Sequence, residues 1–189
     1  RVTGVQTCAL PISKATENGT KGKEFSIMGF IDTIKEKARA NKKTIVLPET
    51  EDRRTYEAAA QILKEDIANI ILVGSEEAVK KGSEGLDITG AVVVDPATSD
   101  KTAAYIDKLV ELRAKKGMTP EKAKEIMLNE YLTYGVMMVK MGDADGMVSG
   151  ACHSTADTLR PCLQILKTKP GTKLVSAFFL MVVPDCAYG

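Results

Sequence analysis

Apolar residues along the chain alternate between a helical period and short uninterrupted runs, which predicts helices separated by buried strands. Helices are expected near residues 30–38, 56–63, 76–81, 100–116 and 120–141, and again after residue 157. Strands are expected at residues 44–48, 69–73, 91–94 and 146–149. Short apolar strands joined by helices are typical of parallel sheets covered on both faces. The sequence therefore predicts an α/β fold, a three-layer α/β/α sandwich with a mostly parallel sheet.

Capping residues specify the expected bounds of one of these helices. Thr119 is expected to cap a helix that begins at Pro120, because proline is favoured at the first helical position. That helix is expected to run to Met141 with an irregularity at Gly135, and to end at Gly142.

The last helix follows a segment rich in hydroxyl groups. Asp157 or Thr158 is expected to cap it, which places Pro161 in the first turn, where a missing N–H costs little. Its buried stripe is expected to consist of three leucines, Leu159, Leu163 and Leu166.

The first 27 residues, called the leader below, do not follow this alternation. Residues 1–12 resemble translated sequencing-adapter sequence, and residues 13–27 are polar without an apolar period, as in upstream or disordered sequence. The native protein is therefore expected to start at Met28. Residues 28–170 are expected to form a first α/β domain, and residues 171–189 to begin a second one.

Charge and cysteine content indicate which partners and which cellular location to expect for the protein. The formal net charge is +1, or about −1 without the four basic and two acidic residues of the leader, so no general field favours nucleic acid or membrane as a partner. Cys152, Cys162 and Cys186 lack Cys-x-x-Cys spacing, which indicates a reducing, cytoplasmic location. Cys152 and Cys162 are expected to be buried, and Cys186 to line a cleft.

The candidate chemistry lies in residues 145–161, where an apolar strand is followed by small and hydroxylated residues and then by Arg160. Small residues let the backbone approach a ligand, free N–H groups at a helix start attract anions, and a guanidinium binds phosphate. Ligands of parallel sheets bind beyond the carboxyl ends of the strands, where this segment emerges. The segment predicts a phosphate-ester site, although a well-capped helix start explains the same residues about equally well.

Other motifs are absent or incomplete. The sequence has no P-loop pattern and no Gly-x-Gly-x-x-Gly after a strand. Residues 143–146 resemble half of a calcium loop, but the loop would then carry Met141 and Cys152 at ligand positions, so we reject it. His153 is the only histidine, which gives little support to a metal site and favours a structural donor.

Several motifs, taken in order, resemble those of the phosphate acetyltransferases of bacteria and archaea, from about Met28 to Gly189. They are Thr44-Ile-Val-Leu-Pro-Glu-Thr-Glu-Asp52, Asn69-Ile-Ile-Leu-Val-Gly74, Val94-Asp-Pro96, Glu111-Leu-Arg113, Val148-Ser-Gly-Ala-Cys-His-Ser-Thr-Ala-Asp-Thr-Leu-Arg-Pro161, Ser176-Ala-Phe-Phe179 and Val183-Pro-Asp-Cys-Ala-Tyr-Gly189.

The resemblance implies an enzyme that reversibly converts acetyl-CoA and phosphate to acetyl phosphate and coenzyme A. It implies two α/β domains with the active site between them, a homodimer, and no metal or bound cofactor, with coenzyme A and acetyl-CoA as substrates. It further implies that Arg113 and Arg160 hold coenzyme A. The residues implied to line the same cleft are Ser149, Gly150, Ser154, Thr155 and Cys186.

The resemblance also implies that the catalytic residues lie beyond Gly189: the aspartate that deprotonates the thiol, and a serine and an arginine that stabilise developing charge. The chain alone is therefore expected to be inactive, with a first domain that is incomplete and an exposed sheet or cleft wall. Three alternatives remain: a phosphate butyryltransferase, a non-catalytic acyl-CoA-sensing domain of a larger enzyme, and a non-catalytic α/β scaffold.

Overall fold

The structure is a computed structural model that describes residues 5–7, 24–172 and 174–176, with the backbone alone at 5–7, 24–28 and 30. Its strands are β1 (Val5–Thr7), β2 (Thr44–Leu47), β3 (Asn69–Val73), β4 (Val92–Val94) and β5 (Gly146–Ser149). Its helices are α1 (Glu24–Ala40), α2 (Arg53–Glu65), α3 (Glu76–Gly82), α4 (Thr102–Arg113), α5 (Pro120–Asn129), α6 (Tyr131–Met141) and α7 (Thr155–Ile165), with a 3₁₀ turn at Ala114–Lys116.

The strands form one sheet in the order β1-β5-β2-β3-β4, and every neighbouring pair is parallel. Val46 in β2 lies opposite Ile71 in β3 and Met147 in β5. Because the strands are parallel, the loops after β2 and β5 emerge at the same edge of the sheet. The predicted α/β fold and parallel sheet are confirmed.

Each face of the sheet is covered by helices. Val46, Ile71 and Met147 point to one face and join a core with α4, α5, α6 and α7. Leu47 and Ile70, the neighbours of Val46 and Ile71 along their strands, point to the other face and pack with α2 and α3. Alternating side chains of the buried strands therefore contribute to two cores, one on each face of the sheet. This gives the three-layer sandwich.

The predicted long helix of residues 120–141 is two helices. The chain breaks at Glu130, with φ −112° and ψ 86°, and α6 then continues through Gly135. A Cβ on Gly135 would lie 3.0 Å from the Met147 sulfur and 3.1 Å from Cγ1 of Val46. Gly135 is therefore a point of close approach between α6 and the sheet, and the predicted irregularity there is wrong.

Helix α7 begins earlier than predicted. Ser154 is its cap: Ser154 Oγ accepts the Asp157 N–H at 3.2 Å and donates its proton to the Asp157 carboxylate at 2.6 Å. This reciprocal capping pair places Pro161 inside the helix instead of in its first turn. The buried stripe also differs from the three leucines expected, since Leu163 is 45% exposed. It consists of Thr158, Cys162 and Ile165.

The leader contributes two elements to the described structure. Val5–Thr7 pairs with β5 as a parallel edge strand, and α1 begins at Glu24, before the expected native start at Met28. Within the described helices, none combines the length and apolar character needed to cross a bilayer.

An apolar groove of about 360 Å³ lies between α1, α2 and the sheet face that α2 covers in part. Its walls include Ala38 of α1, Ile62 of α2 and Val148 of β5. Beside it, Ile31 and Ile34 of α1 are 40% and 47% exposed. This part of the described structure therefore presents apolar surface to solvent.

We expect Gly82→Ala to destabilise the fold by about 1–3 kcal/mol, because overpacking a filled core forces its neighbours to move. A Cβ on Gly82 would lie 2.4 Å from a ring carbon of Tyr56, which is buried and donates its hydroxyl to the Thr50 carbonyl at 2.7 Å. Gly29→Ala is the matched control, since it lies in α1 with nothing within 4 Å. Urea denaturation compares the two, and equal stability of both variants would contradict the prediction.

Candidate functional site

A cavity of about 430 Å³ opens at the edge of the sheet where β2 and β5 end. The end of α4, helix α5, the start of α6 and one side of α7 surround it, and the loops after β2 and β5 contribute Glu51 and His153. Its wall is formed by Glu51, Leu109, Arg113, Met118, Ile126, Asn129, Glu130, Tyr131, Leu132, Thr133, His153, Asp157, Arg160, Pro161, Gln164 and Ile165.

Two guanidinium groups line this cavity from different helices. Arg113 is the last residue of α4 and is half-buried, with no carboxylate within ion-pair distance among the described residues. Arg160 lies on α7, with its Nη1 3.7 Å from the Asp157 carboxylate, and both side chains are exposed. The structure thus places the two arginines singled out in the sequence around one space.

Two carboxylates in the wall already have hydrogen-bond donors. Asp157 accepts the hydroxyl proton of Ser154, as described above, and Glu130 accepts that of Thr133 at 2.6 Å. Glu51 is exposed at the rim. The cavity therefore combines two guanidinium groups with a wall that is apolar in part, which suits a ligand that carries both phosphate and apolar parts.

The small residues predicted beside the arginines lie next to the cavity and do not form its wall. Ser149 is buried at the end of β5, and its Oγ has no hydrogen-bond partner among the described residues. Gly150 has φ +119°. Ser154 is the cap of α7, and Thr155 is its exposed first residue. Cys186 lies outside the described residues.

The backbone N–H groups expected to approach a ligand are bound instead by Glu49. Its Oε2 accepts from Gly150 and Ala151, each at 2.7 Å, and its Oε1 accepts from Cys152 at 3.2 Å and His153 at 2.9 Å. Nδ1 of the His153 ring lies 2.8 Å from the same Oε1. This arrangement is called the Glu49 nest below, and the carboxylate in it is 2% exposed.

The nest keeps this buried carboxylate ionised. Burial raises the pKa of Glu49, but the N–H groups of Ala151, Cys152 and Gly150 and the His153 ring together lower it to about 2. Hydrogen bonds to the charged form of a carboxylate outweigh its loss of hydration when several act together. Glu49 therefore carries its charge at neutral pH.

Cys152 is exposed, so the prediction that it is buried is wrong, whereas that for Cys162 is confirmed. Partial desolvation of the Cys152 thiol and the nearby carboxylates of Glu49 and Glu51 raise its pKa to about 12. A thiol with so high a pKa is protonated at neutral pH and is a poor nucleophile.

Possible ligand atoms of Glu49, Cys152 and His153 lie within 4.8 Å of one another, which is a distance compatible with a shared metal ion. Both Glu49 oxygens, however, already accept at least two N–H groups each. The donor set does not fit a metal.

Glu49 and the placement of His153 were missed in the sequence, where Glu49 appeared only within the motif from Thr44 to Asp52. One signal was available. Glu49 follows the buried strand β2 by two residues, and the Gly150–His153 loop follows β5 directly. In a parallel sheet these positions share one edge, so a carboxylate could have been expected to reach the loop.

Comparison with known proteins gives a consistent result. The family described as Phosphate acetyl/butaryl transferase matches residues 29–189. The phosphate acetyltransferase of Acetivibrio thermocellus is 53% identical over 162 residues, which are 86% of this chain and 48% of that protein. The phosphate acetyltransferase of Clostridium acetobutylicum is 50% identical over 164 residues, with 86% of this chain and 49% of that protein covered.

Solved structures agree with the sequence relatives. A phosphotransacetylase from Staphylococcus aureus superposes with a TM-score of 0.76 at 40% identity and covers 84% of this chain and 48% of its own. A phosphotransacetylase from Streptococcus pyogenes gives a TM-score of 0.71 at 38% identity, with 79% and 45% covered.

The chain thus spans about half the length of the curated relatives it matches. The family match covers more than half of the chain and excludes the whole leader. The resemblance predicted from the sequence motifs is confirmed, and the chain belongs to the Phosphate acetyl/butaryl transferase family.

Proposed function

We propose that this chain is part of a phosphate acetyltransferase, which converts acetyl-CoA and phosphate to acetyl phosphate and coenzyme A. The observation that carries the proposal is the convergence of Arg113 and Arg160 on one cavity. The cavity opens at the carboxyl edge of the sheet, where ligands of parallel α/β sheets bind. The names of the relatives described above favour acetyl as the transferred group.

In this proposal the two guanidinium groups bind phosphates of coenzyme A. A guanidinium offers paired N–H donors that match the oxygens of a phosphate. The apolar wall, which includes Leu109 and Ile165, packs against uncharged parts of the same molecule. Ser149, Gly150, Ser154, Thr155 and Cys186 are proposed to line the complete cleft of the whole protein, and no metal takes part.

We expect Arg113→Ala and Arg160→Ala each to raise the dissociation constant of coenzyme A about ten-fold or more. Loss of a charged hydrogen bond removes about 1.5–3 kcal/mol of binding free energy, which corresponds to that change in affinity. Isothermal titration of coenzyme A into the chain and its variants measures the effect.

Arg53→Ala is the matched control for this titration. Arg53 is an exposed arginine on α2 that lies 3.5 Å from Glu57 and outside the cavity wall, so its loss removes the same charge at another place. Unchanged affinity in the Arg160 variant would contradict the proposal and favour a non-catalytic scaffold.

A second candidate is a phosphate butyryltransferase, because the matching family description includes both acyl groups. Comparison of acetyl phosphate with butyryl phosphate as substrates of the whole protein separates the two. A third candidate, an acyl-CoA-sensing domain of a larger enzyme, would bind acetyl-CoA without exchange. The whole protein is further proposed to be a homodimer in the cytoplasm, which sedimentation and cell fractionation test.

A further inference from the structure

The Glu49 nest joins two loops that are far apart in the sequence. The carboxylate comes from the loop between β2 and α2, and the donors come from the loop between β5 and α7. Four consecutive backbone N–H groups, from Gly150 to His153, point at the two oxygens of this one side chain. Such a concave set of N–H groups binds anions, and here the protein supplies the anion itself.

A carboxylate fits this position better than any other side chain. Both of its oxygens accept hydrogen bonds and neither donates one. A glutamine would turn an NH₂ group towards two of the backbone N–H groups, so a donor would face donors. The loop therefore depends on the negative charge of Glu49 and not only on the length of its side chain.

The nest also fixes the His153 ring. Because Oε1 of Glu49 is an obligatory acceptor 2.8 Å away, Nδ1 carries the proton in this contact. The ring is about one-third exposed and belongs to the cavity wall, so Nε2 is the nitrogen available to the cavity. The next residue, Ser154, caps the helix that carries Arg160.

We propose that Glu49 is a positioning residue for the phosphate-binding side of the cavity. By holding the loop of residues 150–153, it sets the orientation of His153 and the start of α7, and with them the direction of Arg160. The ligand class is a phosphate ester, and coenzyme A is the probe, so this inference rests on the proposed function. Arg54 also contacts this loop, because its guanidinium donates a hydrogen bond to the Ala151 carbonyl. This contact does not involve the four N–H groups that bind Glu49.

The test compares coenzyme A binding by the chain with Glu49→Gln and Glu49→Asp. We expect Gln to raise the dissociation constant about ten-fold, and Asp, which keeps the charge on a shorter side chain, to raise it less. Tyr105→Phe is the matched control, because it removes another hydrogen bond to a carboxylate, the partly buried 2.5 Å contact with Asp143, away from the cavity wall. Its affinity is expected to stay within two-fold of the wild type.

A nitrogen-15 spectrum supplies a readout that general destabilisation does not move. The wild-type His153 ring is expected to show a single Nδ1–H tautomer, and Glu49→Gln a mixture of tautomers. Amide exchange at residues 150–153 is expected to accelerate ten-fold or more in Glu49→Gln and to stay unchanged in β3. Should Glu49→Gln fail to fold, Glu49→Asp carries the same comparisons.

The outcomes separate the two proposals. A wild-type chain that does not bind coenzyme A argues against the proposed function, and the tautomer and exchange measurements then decide whether Glu49 holds the loop. If Glu49→Gln binds coenzyme A as tightly as wild type, or leaves the tautomer and the four amides unchanged, the positioning role is overturned.

Discussion

Thioester formation from acetyl phosphate and coenzyme A is expected from the gene extended downstream to its natural stop, and not from the chain that ends at Gly189. In the proposed function Arg113 and Arg160 bind coenzyme A, but binding alone does not remove the thiol proton or stabilise the charge that develops during transfer. General-base catalysis contributes about 10²–10⁴-fold and oxyanion stabilisation about 10²–10³-fold. The rate of thioester formation by the chain that ends at Gly189 should therefore fall at least four orders of magnitude below that of the extended protein, as measured by the ultraviolet absorbance of the thioester.

The comparison requires that both proteins are folded and bind coenzyme A. Circular dichroism and the titration described above establish this, and the extended protein carrying Arg160→Ala serves as a control with its downstream residues intact. Thioester formation by the chain that ends at Gly189 would contradict the prediction. His153 and Glu51 in the cavity wall would then be the first candidates for the reacting groups. If the extended protein is folded but forms no thioester, the result would favour the butyryltransferase or the acyl-CoA-sensing domain.

Most of the fold could be predicted because the strands are short apolar runs with clear ends. The runs at β2 and β3 are followed by Pro48 and Gly74, and that at β5 by Gly150. Buried strands of a parallel sheet need no alternation, so such runs between helical periods are a sufficient signal.

The break between α5 and α6 could not be predicted in the same way. The chain turns at Glu130, between Asn129 and Tyr131, where neither glycine nor proline marks a boundary. Gly135 is the local glycine, and in a helix a glycine indicates either a break or a close contact. Only the position of Met147 beneath α6 distinguishes the two, and that is tertiary information.

The start of α7 was a matter of choosing among several possible caps. Ser154, Asp157 and Thr158 can each cap a helix, and the Ser-x-x-Asp spacing of the reciprocal pair was present in the sequence. The leucine spacing favoured a different stripe, because Thr158 is a polar residue type and Cys162, although expected to be buried, was not assigned to the stripe. Packing against α6 determines which face of α7 is buried. The residue types on that face did not indicate this in the sequence.

The arginines of the cavity were predictable from a family resemblance, whereas the Glu49 nest was not. Glu49 and Gly150 are separated by 101 residues, and they meet because β5 lies next to β2 in the sheet. Strand order is set by the packing of the whole domain, and no local pattern encodes it. The segment rich in small residues predicted N–H groups that approach a phosphate ester, whereas in the described structure these N–H groups bind the Glu49 side chain. The phosphate-ester site itself stays a prediction.

The same carboxylate gives a large expected effect of acid on stability. Burial raises the pKa of Glu49, but the hydrogen bonds of the nest lower it by more. The pKa is therefore about 2 in the folded chain against an ordinary value of 4.5. A carboxylate with a lowered folded-state pKa stabilises the fold above its unfolded pKa, and this stabilisation is lost as the pH falls towards the folded value. The window is thus from about pH 4.5 down to about pH 2, and the loss is about 3 kcal/mol.

We therefore expect the difference in unfolding free energy between the wild type and Glu49→Gln to be larger at pH 6 than at pH 2.5, by about 2–3 kcal/mol. Glutamine does not titrate, so the variant lacks this part of the acid dependence, while other carboxylates affect both proteins equally. Urea denaturation at both pH values measures it, with Gly82→Ala as a control whose destabilisation involves no ionisable group and should not change with pH. If the Glu49→Gln difference is the same at both pH values, the carboxylate is not held in its charged form by the nest, and the loop of residues 150–153 must owe its shape to other contacts.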